Sequence, residues 1–291
     1  MTATSTLGGS LSTAQLETYN REGYLVLEDL LDDHDMAAPR AAMSEKTEEI
    51  ARELKANGLI SHTFEDEPFS TRLARLFGGL TDEDFVKYGR GWRDRKAGYF
   101  HLMSNPKIVD AVESLIGPEL FSNPVYNVRP KVPGVAAGAV PWHQDKSYWP
   151  DANANPVITV WIPLVDSTHQ NGCLHLIPAT HRKRAIQHGQ ESYSGTGFLE
   201  IAPDYIQTRK KEIIALPMQA GSAVLFNDRL IHSSTPNTSD HVRWSVDLRY
   251  QPTDQDPMSV HGVGFLVRSN LHPERVATLE DWLAEKPEHG A

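Results

Sequence analysis

Residues 157–164 read VITVWIPL and residues 243–250 read RWSVDLRY, and stretches of this kind decide the fold class. Both are short, contain several residues that favour strands, and lie close to Asp, Asn or Pro. Further runs of this type lie after Gly117, at residues 125–128, 173–177, 212–216, 223–226 and 230–233. A single block of so many short strands predicts a β-sandwich or jelly roll.

The residues before this block are predicted to be mainly helical. Residues 12–21 begin with a capping box, Ser followed three positions later by Gln, which predicts a short helix. Residues 24–27 read YLVL and predict a strand. Residues 35–57 are rich in Ala, Glu and Lys, which favours a long helix, and residues 105–116 predict another that begins at an Asn-Pro pair and ends before Gly117.

We therefore predict one domain over residues 1–291, mainly β with flanking helices and with a jelly-roll core. Its mainly helical first part covers residues 1–117, the core covers residues 118–252, and residues 253–291 form a C-terminal extension. A chain of 291 residues is within the size of one large domain.

Charge and cysteine content limit the possible functions. Lys and Arg number 28 against 38 Asp and Glu, a formal net charge of −10, which argues against binding to nucleic acid or an anionic membrane. Cys173 is the only cysteine, so we expect no intramolecular disulfide and no cysteine-rich metal site. No run approaches the ~18 apolar residues of a membrane span, and the first residues lack the pattern of a signal peptide. We expect a cytoplasmic protein.

The most specific local feature is Trp142-His143-Gln144-Asp145. On an extended segment, side chains two positions apart project to the same side, so His143 and Asp145 can hold one metal ion together. Imidazole with carboxylate suits Fe(II), Mn or Zn. The chain has 13 histidines, and a His-x-Asp triplet arises easily by chance, so this hypothesis requires a third ligand.

His232 is the candidate third ligand. If the strands on either side of the turn-rich residues 236–240 pair as a hairpin, His232 and Arg243 lie side by side. Two histidines and one carboxylate form the facial triad of non-haem Fe(II) oxygenases. Arg243 suits the far carboxylate of a metal-bound dicarboxylate, and Ser234 can add a hydrogen bond. Taken singly, a buried core histidine and a surface arginine are the simpler interpretations; taken jointly with His143 and Asp145, we favour the metal site.

Four stretches together resemble a known family. They are REGYLVLEDLL at 21–31, WHQD at 142–145, VITVWIPLVDSTHQNGCLHLIPATHR at 157–182 and LIHSSTPNTSDHVRWSVDLRYQ at 230–251. They are similar to the phytanoyl-CoA dioxygenase family of Fe(II)- and 2-oxoglutarate-dependent oxygenases, and the resemblance extends to about Pro252. It implies a double-stranded β-helix, which is a jelly roll flanked by helices.

The resemblance also implies a role for particular residues. His143, Asp145 and His232 would bind Fe(II), and Arg243 and Ser234 would hold the 5-carboxylate of 2-oxoglutarate. Trp161 stands where the family has a tryptophan lining the co-substrate pocket, and Asn127 lies in the strand that in relatives lends an amide to 2-oxoglutarate. With O2, the implied reaction is hydroxylation or other oxidation of an unactivated C–H bond in a small-molecule metabolite, releasing succinate and CO2. Retention of Asp145 disfavours halogenation.

The implied partners are a small-molecule substrate, with secondary metabolites favoured, and neither nucleic acid nor membrane; a monomer or homodimer is expected. Two other functions stay open at this point. One is a cupin-like metal-dependent isomerase or hydrolase that does not bind 2-oxoglutarate, and the other is a non-catalytic binding protein that retains the pocket. One departure from the family is Ala179, where glycine is usual; because alanine tolerates a positive φ less readily, we expect an altered turn.

Substrate contacts are expected from residues 60–100 and from the glycine-containing loop at 187–211, for which a lid is one interpretation. Tyr148 and Trp149 are candidates for substrate packing. A basic cluster at Lys87, Arg90, Arg93, Arg95 and Lys96 suggests an anionic substrate, but a solvated face paired with nearby acids is the favoured interpretation. His169, His175 and His181 are expected away from the metal.

Overall fold

The computed structural model describes residues 10–89, 92, 94–148, 157–189, 199–255 and 264–285. The helices are α1 (Thr13–Glu22), α2 (Asp33–Ala56), α3 (Arg72–Phe77), α4 (Asp82–Asp84), α5 (Ala97–Met103), α6 (Pro106–Ile116), α7 (Pro203–Thr208) and α8 (Leu279–Ala284), and a π-helical turn covers Phe85–Gly89. Among the helices in these ranges, none combines the length and apolar character needed to cross a membrane.

The strands are β1 (Tyr24–Leu27), β2 (Leu120–Ser122), β3 (Asn127–Lys131), β4 (Val140–His143), β5 (Ile158–Pro163), β6 (Leu174–Ile177), β7 (Ile214–Leu216), β8 (Ala223–Asn227), β9 (Ile231–Ser234), β10 (Arg243–Pro252) and β11 (Phe265–Arg268). They form a seven-stranded sheet in the order β1-β8-β5-β10-β2-β11, in which β3 also pairs with β10, and a four-stranded sheet in the order β4-β9-β6-β7. Pairing within both sheets is antiparallel.

Strand β10 has two buried faces, one polar and one apolar. Its residues alternate between polar and apolar side chains, and all of those from Arg243 to Gln251 are buried. Neighbouring residues on a strand point to opposite faces, so one face of β10 carries Trp244, Val246, Leu248 and Tyr250 and the other carries only polar groups. The apolar face packs against the helices, and the polar face lies between the sheets, where the candidate site is.

The helical layer covers the outer face of the large sheet. Residues of α2, α5 and α6 share one hydrophobic cluster with the apolar side chains of β5, β8 and β10. Trp244 stacks on Phe69 with 4.9 Å between ring centroids and contacts Trp92 at 5.4 Å, which ties the segment between α2 and α5 to this outer face. The helices therefore brace the sheet from the side opposite the candidate site.

Most of the predicted elements are present. The mainly helical beginning, the strand at Tyr24–Leu27 and the antiparallel β block confirm the predicted fold class. The C-terminal extension is more than an appendage, because β11 pairs with β2 and Trp282 of α8 is buried against Phe100 and Phe265. Its strand was not among those predicted.

Candidate metal centre

Three of the predicted site residues meet between the two sheets. Strands β4 and β9 pair so that His143 lies directly opposite His232, and Asp145 follows two residues after the end of β4. The Asp145 Oδ1 atom is 3.5 Å from His143 Nε2 and 3.8 Å from His232 Nε2. One ligand atom from each residue lies within 4.8 Å of the other two, a separation suited to binding one ion.

The route by which Asp145 reaches the site differs from the prediction. The extended conformation ends at His143, and Asp145 begins a short 3-10 turn at Asp145–Tyr148, so strand alternation is not what brings the carboxylate back to the histidines. The turn is held in place because the Lys146 backbone N–H donates to the Asp228 carbonyl at 2.7 Å. The ligands converge as predicted, but a turn does the positioning.

Backbone carbonyls orient both imidazoles. His143 Nδ1 is 2.8 Å from the Pro141 carbonyl and His232 Nδ1 is 3.0 Å from the Leu230 carbonyl. A carbonyl only accepts, so each Nδ1 donates to it, and each Nε2 atom is the ring nitrogen directed toward Asp145. This is the arrangement that a metal-binding histidine needs.

Burial and charge set the protonation states. Burial and the neighbouring His143 lower the pKa of His232 to about 3, which keeps that ring neutral at pH 7. Burial by itself would raise the pKa of Asp145, but the Arg249 guanidinium and the two histidines reverse this effect and hold the pKa well below its usual range. The site thus offers a neutral imidazole at His232 and a carboxylate at Asp145, beside the imidazole of His143.

The second oxygen of Asp145 is occupied by the protein. Asp145 Oδ2 accepts hydrogen bonds from Thr159 Oγ1 at 2.6 Å and from Arg249 Nη2 at 3.1 Å. Arg249 Nη1 also donates to Asp247 Oδ2, and Arg129 Nε donates to Asp247 Oδ1 at 2.6 Å. The two acids and two arginines alternate in a chain of ion pairs, which leaves Asp145 Oδ1 as the oxygen directed at the histidines.

Gln144 lies between His143 and Asp145 in the sequence, and its side chain points away from them, as predicted. It holds a neighbouring loop in place through hydrogen bonds. Its side chain donates to the Arg229 carbonyl and accepts from the Ile186 backbone N–H at 2.8 Å. The Gln144 backbone N–H in turn donates to His188 Nε2 at 2.9 Å. The start of the 187–211 segment is thereby fixed beside the ligand-bearing turn.

The same segment is fixed again at Leu199 and Ile201. The Leu199 backbone N–H donates to the Tyr148 hydroxyl at 3.0 Å, and the Ile201 N–H donates to the Trp142 carbonyl at 2.8 Å. Tyr148 makes an edge contact with the His143 ring at 6.1 Å between centroids. Residues 190–198 and Trp149 lie outside the described residues, so the predicted lid and the role of Trp149 stay predictions.

Arg243 lies on the sheet that faces His232, and the predicted hairpin is wrong. β9 belongs to the four-stranded sheet and β10 to the seven-stranded one, so His232 and Arg243 are not cross-strand neighbours. The turn between them is drawn toward β3, because Asn237 Nδ2 donates to the Lys131 carbonyl at 2.7 Å, and the chain crosses from one sheet to the other. Arg243 nevertheless belongs to the face of β10 that looks between the sheets.

Arg243 is a buried cation of this part of the interior with spare hydrogen-bonding capacity. It is 1% exposed, and among the described residues its Nε and Nη1 atoms have no hydrogen-bond partner. The indole ring of Trp161 lies 5.2 Å from its guanidinium carbon, and Ser234 is buried on the facing β9. A buried guanidinium with unused donors requires an anionic or polar ligand.

The structure places Asn127 differently from the other predicted residues. Its Nδ2 atom donates to Asp247 Oδ2 at 2.7 Å, which makes it part of the ion-pair chain. Ser234 Oγ accepts from Lys131 Nζ at 2.7 Å. The structure therefore places Trp161 beside Arg243, links Ser234 to Lys131, the residue opposite Arg243 on β3, and directs this donor of Asn127 at a carboxylate of the protein.

Other sequence features lie away from the site. Of the basic cluster, Lys96 pairs with Glu45 and Glu49 of α2 and Arg95 donates to the Trp282 carbonyl, while Arg90 and Arg93 lie outside the described residues. His175 is on β6 but points away from the facing sheet, since its neighbour Leu176 is the residue opposite His232. The described part of 60–100 packs largely on the outer face of the large sheet, not between the sheets.

Five residues of this interior were not predicted: Thr159, Asp247, Arg249, Arg129 and Lys131. All belong to β3, β5 or β10, and paired residues of antiparallel strands share a face, so they lie on the same side as Arg243. The alternation of polar and apolar residues in RWSVDLRYQ at 243–251 is the sequence feature that indicates the polar residues of β10. An alternating strand is normally interpreted as having one side in water, which is why Asp247 and Arg249 were not predicted as part of the site.

The geometry of the site by itself defines a class of protein. A jelly roll that holds two histidines and one carboxylate between its sheets has the facial triad of a non-haem metal enzyme. Comparison with known sequences agrees with this class: the sequence model described as Phytanoyl-CoA dioxygenase (PhyH) matches residues 19–245. The chain belongs to the phytanoyl-CoA dioxygenase family.

Individual relatives are distant but cover most of the chain. A phytanoyl-CoA dioxygenase of Arabidopsis thaliana is 27% identical over 265 residues, covering 84% of this chain and 90% of that protein. The ectoine dioxygenase of Bordetella parapertussis is 24% identical, covering 96% of this chain and 86% of that protein. Among solved structures, SnoK, a non-heme alpha ketoglutarate dependent carbocyclase from nogalamycin biosynthesis, aligns with a TM-score of 0.57 at 22% identity over 86% of this chain and 88% of SnoK. That structural likeness shows the shared fold.

Proposed function

We propose that this protein is an Fe(II)- and 2-oxoglutarate-dependent dioxygenase that oxidises an unactivated C–H bond of a small-molecule metabolite. The observation that carries the proposal is the pairing of two features between the same two sheets. One is the group of ligand atoms from His143, Asp145 and His232, and the other is the buried Arg243 with unused donors. In hydroxylation the substrate C–H, O2 and 2-oxoglutarate would yield the alcohol, succinate and CO2.

The donor set fits Fe(II). Imidazole nitrogen and carboxylate oxygen are suitable ligands for this ion, and three protein ligands leave coordination positions for a chelating co-substrate. Each donor atom is already oriented: the backbone fixes both Nδ1–H groups, while Thr159 and Arg249 hold the outer oxygen of Asp145. Little rearrangement of the protein is therefore needed to bind the ion.

The pocket around Arg243 fits the distal carboxylate of 2-oxoglutarate. A guanidinium presents paired N–H donors in the geometry of a carboxylate, and two of the Arg243 nitrogens are available. Ser234 adds a hydroxyl from the facing strand, and the ring of Trp161 shapes one wall. The three predicted metal ligands thus provide for one end of the co-substrate through the bound ion, and Arg243 provides for the other end.

When bound, Fe(II) supplies the chemistry that couples O2 reduction to decarboxylation of 2-oxoglutarate and oxidation of the substrate. The protein residues position the reactants and exclude water. His143 and His232 are 5% and 6% exposed, and Asp145 is 2% exposed, so the reaction occurs in a largely dry interior. Tyr148, half-buried with its ring 6.1 Å from that of His143, is our candidate for packing against the substrate.

The relatives support a small-molecule substrate. Ectoine dioxygenase and the carbocyclase SnoK are named for reactions of small metabolites, and this chain shares their fold over most of its length. A formal charge of −10 also disfavours nucleic acid as the substrate. We propose a small molecule on these grounds, without choosing between hydroxylation and the other oxidations.

Oxygen uptake coupled to succinate formation tests the proposal. Purified protein with Fe(II), 2-oxoglutarate and a panel of metabolites should consume O2 and release succinate, including a slow uncoupled reaction without substrate. His143→Ala and Asp145→Ala should abolish both signals and lower Fe(II) affinity. His175→Ala is the matched control, because His175 lies on β6 of the same sheet with its side chain on the opposite face. If the triad variants bind Fe(II) as well as the wild type, the assignment is wrong.

A further inference from the structure

Lys131 is a lysine buried beside Arg243. It is 1% exposed, and the register of β3 with β10 places it directly opposite Arg243, so both side chains leave the same face of the sheet. The fold makes room for it at Gly172, whose φ is +82° and where a Cβ atom would lie 2.8 Å from Lys131 Cδ and 2.3 Å from the Thr235 carbonyl oxygen. The lysine is therefore closely packed rather than loosely accommodated.

The lysine uses two of its three N–H donors on the facing strand. Lys131 Nζ donates to Ser234 Oγ at 2.7 Å and to the Thr235 carbonyl. One donor of the ammonium group remains. The Ser234 hydroxyl accepts from Lys131, so its own proton is available to another acceptor.

Within the described residues, no carboxylate forms an ion pair with either cation. The acid on the same face, Asp247, already accepts from Arg129, Arg249 and Asn127. Burial, followed by the charges of Arg243 and Arg129, lowers the pKa of Lys131 well below its usual range. Two adjacent buried cations without a protein carboxylate are unfavourable unless an anion joins them.

We propose that Lys131 is a second cationic ligand of the co-substrate pocket, which binds the distal carboxylate together with Arg243 and turns the Ser234 hydroxyl proton toward it. This inference rests on the proposed function and adds a specificity-determining residue to it. The pocket would then select 2-oxo acids by their second carboxylate: Arg243 and Lys131 provide two positive charges, and Ser234 provides a neutral donor. A 2-oxo acid without that carboxylate would leave all three unsatisfied.

Binding of two 2-oxo acids to the Ni(II)-loaded protein tests this role. 2-Oxoglutarate and pyruvate share the 2-oxocarboxylate end, but only 2-oxoglutarate has the distal carboxylate. Calorimetry should show that Lys131→Met weakens 2-oxoglutarate binding about 10- to 100-fold and changes pyruvate binding less than about twofold. Lys131→Gln, which can still donate to Ser234 but is uncharged, should fall between the wild type and Lys131→Met. Lys96→Met, a lysine paired with Glu45 and Glu49 on the outer helices, should leave both affinities unchanged.

The outcomes separate this inference from the proposed function. Unchanged 2-oxoglutarate binding in both Lys131 variants, or equal losses for both 2-oxo acids, would overturn the role of Lys131. The proposed function itself fails if the wild type does not distinguish 2-oxoglutarate from pyruvate and Arg243→Met changes neither. Methionine matches the length of the lysine stem and removes a buried charge, so Lys131→Met should still fold. Lys131→Gln provides a second measurement of the contribution of Lys131 to 2-oxoglutarate binding.

Discussion

Arg249 Nη2 lies 3.1 Å from Asp145 Oδ2, on the side of the carboxylate that faces away from His143 and His232. Both residues are almost completely buried, at 6% and 2% exposed. The guanidinium balances the carboxylate charge and, with Thr159, takes up one oxygen, so that the other oxygen points at the histidines. Arg249 is a positioning residue for the proposed metal ligand.

Replacing Arg249 with leucine should weaken metal binding. Loss of a hydrogen-bonded partner of a metal ligand typically lowers affinity about 10- to 100-fold. Arg249→Lys keeps the charge but not the paired donors to Asp145 and Asp247, so its affinity should be intermediate. Titration with Co(II), followed by its visible absorption, measures both the affinity and the coordination of the bound ion.

Arg268→Leu is the control for this prediction. Arg268 makes ion pairs with Asp110 and Glu113 at the protein surface, and its loss should not change Co(II) affinity or the spectrum. An unaltered Co(II) spectrum and affinity in Arg249→Leu would show that Asp145 needs no support from Arg249.

Thr159→Val should have a smaller effect at the same oxygen. Valine has nearly the shape of threonine, but it removes the 2.6 Å hydrogen bond to Asp145 Oδ2 and leaves Arg249 in place. A loss of about 1–2 kcal/mol in metal-binding free energy is expected, which is about 5- to 30-fold in affinity. Calorimetric titration with Mn(II) measures it, with the exposed Thr208→Val as control. A larger loss than in Arg249→Leu would reverse the proposed order of importance.

The sequence predicted the features that are local along the chain. His143 and Asp145 are two residues apart, and short strand-forming runs between turn residues are visible without knowing their partners. The spacing after His232 predicts Arg243 and Ser234, and the resemblance to a family adds Trp161, whose ring lies beside Arg243 in the structure. Each of these inferences depends on a pattern of a few residues.

The supporting residues could not be predicted in this way, because their contacts span the chain. Arg249 meets Asp145 across 104 positions, and Lys131 meets Ser234 across 103. The predicted hairpin failed for the same reason: the turn residues after Ser234 indicated a reversal of direction but not the sheet that the next strand joins. Strand order and the burial of both faces of β10 are tertiary properties.

Ala179→Gly should stabilise the protein. Ala179 has a φ of +60°, in the left-handed region, and its N–H donates to the Glu22 carbonyl at 2.7 Å. A left-handed φ costs a non-glycine residue about 1–2 kcal/mol, and the extra freedom of glycine in the unfolded chain offsets part of the gain. We expect the free energy of unfolding to rise by about 0.5–1 kcal/mol in urea denaturation.

Ala215→Gly provides the opposite control, since Ala215 lies in the extended strand β7 and has no left-handed strain to relieve. That variant should lose stability. If both variants lose stability, the left-handed φ of Ala179 imposes no strain that glycine could relieve.

Asp228 should make the stability of the metal-free protein depend on pH. Asp228 is 2% exposed, and its Oδ1 atom has no hydrogen-bond partner among the described residues. Burial raises its pKa to about 6, with the charge of Asp145 adding to the effect and Lys146 and Arg229 opposing it. Because the folded state holds this proton more tightly than the unfolded chain, stability should fall as the pH rises from about 4 to about 6 and then level off.

Asp228→Asn should remove this fall, because an amide does not titrate. Between pH 4 and pH 7.5, the free energy of unfolding of the variant should therefore increase relative to that of the wild type. The increase should be up to about 3 kcal/mol for a shift of about two pKa units. Urea unfolding at both pH values with a chelator present measures the difference, and any constant effect of the substitution cancels between them. Asp204→Asn, at the exposed start of α7, should show no such pH-dependent gain. Equal differences between wild type and Asp228→Asn at the two pH values would mean that Asp228 has the same pKa in the folded and the unfolded protein.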